Sequence, residues 1–136
     1  MSANEPVADR ERFAPPSSAL QERVLREIEE LLGPRGYLHQ PSDLTLYEYD
    51  GGVDKARPDV VAFPRSTDDV VALVKLAARH NLAIVGRGAG TGLSGGAIPR
   101  AGGLVISFAR MNQILEIDLG NERAVLQPGV VNLDIT

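Results

Sequence analysis

The residues with the clearest chemical potential form one glycine-rich run at positions 86–96. The run reads Gly-Arg-Gly-Ala-Gly-Thr-Gly-Leu-Ser-Gly-Gly, so six of its eleven residues are glycine, and it follows an apolar segment typical of a strand. Glycine loses more backbone entropy on folding than other residues, so a dense cluster needs a compensating role. Without side chains, successive N–H groups can converge on an anion, and Thr91 and Ser94 add hydroxyl donors. The run therefore predicts a phosphate or nucleotide site, in which Arg87 either adds charge or points to solvent.

A flexible linker, a dinucleotide fingerprint and a P-loop each fit the glycine run less well. A flexible linker is normally polar on both sides, whereas this run contains Leu93 and lies between two segments predicted to be buried strands. The spacing Gly90-x-Gly92-x-x-Gly95 matches the dinucleotide fingerprint, but that site needs a helix to open inside the motif. Residues 96–103 contain a proline and three glycines, which disfavour a helix. No Gly-Lys-Ser/Thr follows, so a P-loop is excluded and loop backbone alone must hold the phosphates.

The elements around the run predict an α/β (α+β) fold. An amphipathic helix is predicted from Ser17 or Ser18 to about Leu32. Residues 1–16 mix charges with prolines and are predicted to be disordered. Residues 35–58 are predicted to form a connector that wraps the surface of the next domain.

A βαβ unit with parallel strands and a right-handed crossover is predicted before the glycine run. Residues 60–63 form its first strand and residues 83–85 its second, and Ser66 caps the intervening helix with Asp69 in a variant of the capping box. Asn81 is expected to be left-handed after that helix. The buried stripe of the helix is predicted to be Val70, Leu73, Val74 and Ala77.

Strands are also predicted after the run. Residues 104–108 form a third buried strand, and residues 114–118 and 123–127 form an antiparallel hairpin around Gly120-Asn121. The glycine run therefore connects the second strand to the third.

Composition narrows the classes of partner and chemistry. The net charge is −4 with no basic run, which argues against nucleic acid as a partner. The chain has no cysteine, so disulfides and thiolate chemistry are excluded. The first residues lack the apolar run of a signal peptide, and no stretch reaches the ~20 apolar residues of a transmembrane segment. We expect a cytoplasmic protein that is peripheral to a membrane only through partners.

The titratable residues form no catalytic or metal-binding pattern. The histidines are His39, in the connector, and His80, at a helix end, where a dipole-stabilising or surface role is expected. No His, Asp or Glu cluster has metal-ligand spacing. Asp50, Asp54 and Asp59 are expected in turns and at the surface. We therefore assign no catalytic residue and no metal ligand.

Residues 87–96 closely resemble the loop that binds the FAD pyrophosphate in flavoproteins related to vanillyl-alcohol oxidase and p-cresol methylhydroxylase, the PCMH-type family. Within this family the sequence is most similar to the glycolate oxidase flavoprotein subunit and to the D-lactate and D-2-hydroxyglutarate dehydrogenases. The resemblance extends from about Pro58 to the end and includes Pro-Asp-Val-Val-Ala-Phe-Pro-Arg-Ser-Thr at 58–67 and Gln-Pro-Gly-Val at 127–130. It departs at Gly86, where relatives often have proline.

The resemblance implies a fold, a cofactor and a site. Residues 58–136 would form the first lobe of an incomplete PCMH-type FAD-binding domain, preceded by residues 1–57. The loop would wrap the FAD pyrophosphate, with the Pro-Gly segment near the cofactor. The implied cofactor-binding residues are Arg87, Gly88, Ala89, Gly90, Thr91, Gly92, Leu93 and Ser94, and less directly Pro128 and Gly129.

The resemblance also implies an activity that this chain does not complete alone. The flavin would accept hydride from the hydroxyl-bearing carbon of a small 2-hydroxy acid, in an enzyme that can include partner subunits of an oxidase complex. The second lobe and the substrate domain of family members have no counterpart here, so we expect no turnover and poor stability. Three hypotheses stay open: a truncated oxidoreductase, an FAD- or pyrophosphate-binding module completed by another chain, and a remnant without a ligand.

Overall fold

The computed structural model describes residues 18–135, with side chains from residue 21 onward. The disorder predicted for residues 1–16 lies outside this described part. The helices are α1 (Ser18–Leu32), α2 (Pro41–Leu44) and α3 (Thr67–Arg79), and the strands are β1 (Tyr37–Leu38), β2 (Val60–Ala62), β3 (Ile84–Arg87), β4 (Leu104–Ser107), β5 (Ile114–Asp118) and β6 (Arg123–Leu126). Short 3-10 helices occur at Thr45–Tyr47, Phe108–Arg110 and Asn132–Ile135.

Helix α1 covers the span predicted for it. Its inner face buries Val24 and Ile28, in line with the helical spacing of its apolar residues. Gly33 ends the helix with a φ of +78°, and its N–H donates to the Glu29 carbonyl at 2.7 Å. Glycine adopts this left-handed conformation without a Cβ clash, so the chain can turn sharply after the helix.

Helix α3 begins at the predicted variant of the capping box. Ser66 Oγ accepts from the Asp69 N–H at 3.2 Å, and Asp69 Oδ2 accepts from the Arg65 N–H at 2.9 Å. These bonds pair amides that a helix start otherwise leaves unsatisfied. After the helix, Asn81 adopts a φ of +51°. The predicted cap and the predicted left-handed residue are both confirmed.

The buried face of α3 is rotated relative to the predicted stripe. Leu73 and Ala77 are fully buried as predicted and Val70 is half-buried, but Val74 is 43% exposed. Leu76, which the stripe omitted, is only 3% exposed. The prediction for Val74 is wrong because α1 packs on the Leu76 side of α3, so burial is centred on that side.

Four strands form one sheet in the order β1-β2-β4-β3. Strands β2, β4 and β3 are parallel, as predicted for the βαβ unit, and β1 is antiparallel to β2. Strand β4 lies between β2 and β3, so Val61 and Val85 are both register partners of Val105. Ile84 in β3 is 41% exposed. The prediction that β3 is buried is therefore wrong, because an edge strand has a neighbour on one side only.

The sheet buries apolar side chains on both of its faces. Val60 and Ala62 pack with α1 and α3, whereas Val61 and Val105 pack with Leu44 of α2. This alternation follows from the opposite directions of successive side chains in a strand. The connector thus supplies α2 to the second face of the sheet, in addition to any surface role. The predicted domain boundary between residues 57 and 58 stays a prediction.

Strands β5 and β6 form the predicted antiparallel hairpin, with an irregular register between Ile114 and Glu116. In its turn, the Asp118 carboxylate accepts from the Asn121 N–H at 3.1 Å and from Asn121 Nδ2 at 2.7 Å. The hairpin is a separate sheet and pairs with no other strand in the described part of the chain. Its large exposed apolar side chains are Ile114, Leu115, Ile117, Leu119 and Val125.

A polar network joins α1 to the end of α3. Glu27 Oε2 accepts from Arg79 Nη2 at 2.7 Å, and Glu27 Oε1 lies 2.9 Å from His80 Nε2. The side chain of His80 is only 11% exposed, because α1 covers this end of α3. Of the two roles expected for His80, the partly buried side chain does not fit a surface role, whereas the position at the helix end fits the dipole-stabilising role.

This network predicts an acid-sensitive contact between the helices. The hydrogen bonds from Arg79 and then from His80 hold the pKa of Glu27 below its usual 4.5. A depressed carboxyl pKa stabilises the folded state above the unfolded pKa, and this stabilisation is lost as pH falls through the folded pKa. We expect thermal unfolding to show a Glu27→Gln penalty at pH 7 that is smaller at about pH 3, below the usual carboxyl pKa of 4.5. The exposed neighbour substitution Glu22→Gln serves as the control, and an equal penalty for Glu27→Gln at both pH values contradicts the prediction.

Candidate cofactor site

The glycine loop, residues 88–96, leaves the sheet at the carboxyl end of β3. Crevices beyond the carboxyl ends of parallel strands are the usual ligand sites of open α/β sheets. Gly90 and Gly95 adopt φ values of +70° and +76°, which L side chains rarely tolerate. Leu93 at the tip is 79% exposed. Two glycines thus set the shape of the loop, and the loop is open to solvent.

The backbone amides of the loop are unpaired. Within residues 18–135, the N–H groups of residues 89–96 donate to no protein acceptor. The loop is instead held through its carbonyls, since Gly92 O accepts from Gly51 at 2.9 Å and Gly95 O accepts from Ile98 at 3.2 Å. A loop fixed by its carbonyls keeps its amides available, and consecutive free N–H groups are the donors of an anion nest.

Gly92 and Gly96 indicate where a ligand fits. A Cβ added to either residue would have no atom of the chain within 4 Å, and neither residue has a left-handed φ. Packing and backbone conformation therefore do not require glycine at these two positions. A diphosphate that approaches the main chain does require it, because a side chain would block the approach. The loop therefore fits a diphosphate group held by backbone amides.

The Pro128-Gly129 segment lies beside the start of the loop. A Cβ added to Gly88 would lie 3.9 Å from the Pro128 carbonyl oxygen. The Gly129 N–H donates to Met111 O at 2.8 Å, and a Cβ on Gly129 would overlap Phe108 O. Gly129 thus allows close packing on the turn after β4, and its amide is already paired. The structure brings this segment to the loop, with Gly129 holding the backbone in place.

Arg87 lies behind the loop and does not point to solvent. It is 7% exposed, and its Nη1 donates to the Tyr49 carbonyl at 2.7 Å. Its guanidinium carbon lies 5.5 Å from the centroid of the Tyr47 ring, within cation–π range. Burial raises the pKa of the Tyr47 phenol, and the nearby Arg87 charge opposes that rise. Of the two orientations considered for Arg87, solvent exposure is ruled out.

The connector contributes residues to the site that sequence reasoning did not assign to it. Asp50 is 7% exposed, and its Oδ1 accepts from the Gly52 N–H at 2.7 Å. Its Oδ2 is buried and has no hydrogen-bond partner among the described residues. The turn expected at Asp50 is present, but its expected surface position is wrong, because the turn packs on Gly92 of the loop. The Asp-Gly-Gly motif signalled a turn without signalling what the turn contacts.

Three other titratable residues singled out in the sequence lie outside the glycine loop: Asp54, Asp59 and His39. Asp54 is exposed and pairs with Arg100 at 2.7 Å. Asp59 accepts from the Gly103 N–H at 2.6 Å and so fixes the entry to β4. His39 stacks on Tyr37, with ring centroids 5.7 Å apart. In the described range, no group of three potential ligands could hold a metal ion, and no helix is long and apolar enough to cross a membrane.

Together, the parallel sheet, the loop at its carboxyl edge and the unpaired amides are typical of a domain that binds a phosphate-containing ligand. A family described as the FAD binding domain matches residues 58–136, which is more than half of the chain. The chain belongs to this family, and its cofactor is FAD. The resemblance drawn from the glycine run is confirmed.

Curated relatives agree with this assignment. The glycolate oxidase subunit GlcD of Bacillus subtilis is 40% identical over 113 residues, which are 82% of this chain and 24% of that protein. The D-2-hydroxyglutarate dehydrogenase of Stutzerimonas stutzeri is 37% identical over 113 residues, again 82% of this chain and 24% of that protein. The chain spans about a quarter of the length of these relatives. It is thus related to FAD-linked oxidoreductases and corresponds to one part of them.

Solved structures confirm the fold. The 4-ethylphenol oxidase of Gulosibacter chungangensis superposes with a TM-score of 0.77 at 25% identity, covering 86% of this chain and 24% of the oxidase chain. A p-cresol methylhydroxylase superposes with a TM-score of 0.68 at 22% identity, covering 84% of this chain and 23% of its own. The predicted α/β first lobe of a PCMH-type domain is therefore confirmed.

Proposed function

We propose that this chain is the FAD-binding portion of an oxidoreductase acting on the CH–OH group of a small 2-hydroxy acid. The observation that carries the cofactor role is the run of unpaired amides at residues 89–96. The names of the relatives, glycolate oxidase subunit and D-2-hydroxyglutarate dehydrogenase, support the substrate class. FAD, when bound, supplies the acceptor for the hydride removed from the substrate carbon.

In this proposal the loop binds and orients the cofactor through its diphosphate. Hydrogen bonds from several amides to a charged acceptor are stronger than neutral ones, and their fixed positions orient the bound group. The cofactor-binding residues proposed from the sequence remain Arg87 to Ser94 with Pro128 and Gly129. The Thr91 and Ser94 hydroxyls are exposed and have no protein partner among the described residues, so they can add donors.

A competition assay tests the mode of binding. FAD affinity is measured by quenching of flavin fluorescence, with the protein as its gene encodes it. ADP carries the diphosphate without the flavin ring, and riboflavin carries the ring without the diphosphate. We expect ADP to displace FAD and riboflavin to displace it poorly. Displacement by riboflavin but not by ADP would reject the loop as the main binding site.

The exposed hairpin supports a second form of the proposal, in which further polypeptide completes the enzyme. Leu115, Ile117 and Leu119 are 60%, 56% and 85% exposed on one hairpin. Several exposed apolar side chains on one element are typical of a surface that contacts other polypeptide. Partner subunits of an oxidase complex are one source of that polypeptide, in a cytoplasmic enzyme that reaches a membrane only through them.

We expect the 136-residue chain by itself to lack dehydrogenase turnover. The described residues contain no group that could hold a metal ion, and the chain covers 24% of the Bacillus subtilis glycolate oxidase subunit, so we place the substrate site in the part of the relatives that this chain does not match. Dye reduction is measured with glycolate, D-lactate and D-2-hydroxyglutarate after incubation with FAD, using a complete relative as the positive control. Dye reduction that depends on one of these acids would contradict this expectation.

A further inference from the structure

The connector is fastened directly to the glycine loop. We define the strap as residues 47–54, which include the turn at Asp50. The Gly51 N–H donates to Gly92 O at 2.9 Å. A Cβ added to Gly51 would lie 2.7 Å from Thr91 O, closer than real Cβ atoms approach, and 3.0 Å from Gly92 O, which is also a tight contact. The strap and the loop are thus in direct main-chain contact, and glycine at position 51 makes that contact possible.

The Arg87 side chain makes a second connection between strap and loop. Its Nη1 is bonded to Tyr49 O, and its guanidinium faces the Tyr47 ring. The same guanidinium occupies the place of a Gly90 side chain, since a Cβ added to Gly90 would overlap it. Arg87 therefore lies between the strap and the loop, in contact with both, and is 7% exposed.

The position of Arg87 has an electrostatic consequence. Its buried guanidinium abuts Gly90 in a loop whose amides are unpaired, so positive charge lies close to the donors. A charge held beside an open loop acts on an anion over several ångströms without touching it, and because the loop is exposed to solvent, salt screens this attraction. Moreover, an arginine fixed by a hydrogen bond and an aromatic ring needs no rearrangement when the anion arrives.

We propose that Arg87 is a positioning residue for the FAD diphosphate and that the strap is part of the cofactor site. Arg87 fastens the loop to the strap through Tyr49 O and supplies charge close to the loop amides. The Gly51 N–H makes the second attachment by its hydrogen bond to Gly92 O. This inference rests on the proposed function, because it names how the same loop is held for its ligand.

The test measures FAD and ADP affinity for three variants of the protein as its gene encodes it. Arg87→Gln removes the charge, Arg87→Lys keeps it without the planar guanidinium, and Gly51→Ala displaces the strap without changing charge. The matched controls are Arg123→Gln, at an arginine on the hairpin that is 59% exposed, and Gly120→Ala, at a glycine whose added Cβ meets nothing closer than 3.5 Å.

We expect Arg87→Gln to weaken FAD and ADP binding in parallel by about 30-fold and to lower the salt dependence of both affinities. Riboflavin binding should not change, Arg87→Lys should recover part of the loss, and Gly51→Ala should weaken FAD binding about tenfold. The two controls should bind FAD like the wild type. A merely structural role for Arg87 would leave the salt dependence unchanged.

The outcomes separate this inference from the proposed function. If the wild type binds neither FAD nor ADP, the proposed function fails and the inference fails with it. If the wild type binds FAD in competition with ADP, but folded Arg87→Gln binds within twofold of it or keeps its salt dependence, only the inference is overturned. If Arg87→Gln does not fold, Gly51→Ala decides, and FAD binding within twofold of the wild type overturns the inference.

Discussion

Replacing Gly92 with valine should raise the Kd for FAD about 100-fold while leaving the fold of the apoprotein unchanged. An added Cβ at this position meets no atom of the chain within 4 Å, so the free protein accommodates the larger side chain. The bound diphosphate does not, and it would lose roughly two charge-assisted hydrogen bonds of about 1.5 kcal/mol each. A substitution that weakens FAD binding without disturbing the fold marks a residue that contacts the ligand.

Two comparisons sharpen this experiment. Gly120→Val adds the same side chain to an exposed glycine of the hairpin turn and should leave FAD affinity unchanged. Gly90→Val should weaken both FAD binding and stability, because Gly90 has a φ of +70° and contacts the Arg87 guanidinium. FAD titration and thermal unfolding of each apoprotein are measured together. Retention of full FAD affinity by Gly92→Val would contradict a site built from the loop backbone.

The second large effect is expected in the core under α3. Leu73 is fully buried between α3 and the sheet, in a cluster that also contains Val60 and Ile106. Leu73→Ala removes buried methyl groups and leaves a cavity, which costs about 2–5 kcal/mol of unfolding free energy. In a domain of ordinary marginal stability, a loss of that size leaves a substantial unfolded fraction.

The adjacent position gives the matched control. Val74 is 43% exposed, so Val74→Ala should change the unfolding free energy by no more than about 0.5 kcal/mol, and alanine is the better helix former. Urea unfolding followed by far-ultraviolet circular dichroism compares the two substitutions. Equal destabilisation by both substitutions would mean that Val74 is buried, as predicted from the sequence, and would contradict the orientation of α3 in the structure.

Local features of the fold could be predicted because their causes are local. The cap at Ser66, the left-handed Asn81 and the hairpin turn at Asn121 each depend on residues a few positions apart. The position of β4 between β2 and β3 could not be predicted in the same way, since sequence order does not determine spatial order in a parallel sheet. Ile84 is exposed because that order places β3 at the edge of the sheet, so its exposure could not be predicted either.

In the candidate site, too, the features with local causes could be predicted and those that depend on distant residues could not. The glycine run predicted a backbone anion site because glycine content and spacing are visible in the sequence. The burial of Arg87 could not be predicted, because it depends on a hydrogen bond to Tyr49, which lies 38 positions earlier in the chain. The same applies to Asp50, whose turn was predictable but whose packing on the loop depends on the tertiary fold.

Amide-resolved NMR of the ¹⁵N-labelled protein, with and without FAD, tests the central claim most directly. The N–H groups of residues 89–96 have no protein acceptor in the described structure, so they are free to respond to a ligand. We predict that FAD and ADP both shift these amide signals and slow their hydrogen exchange, whereas riboflavin leaves them unchanged. Saturation with FAD that leaves residues 89–96 unshifted and unprotected would contradict a site built from these amides.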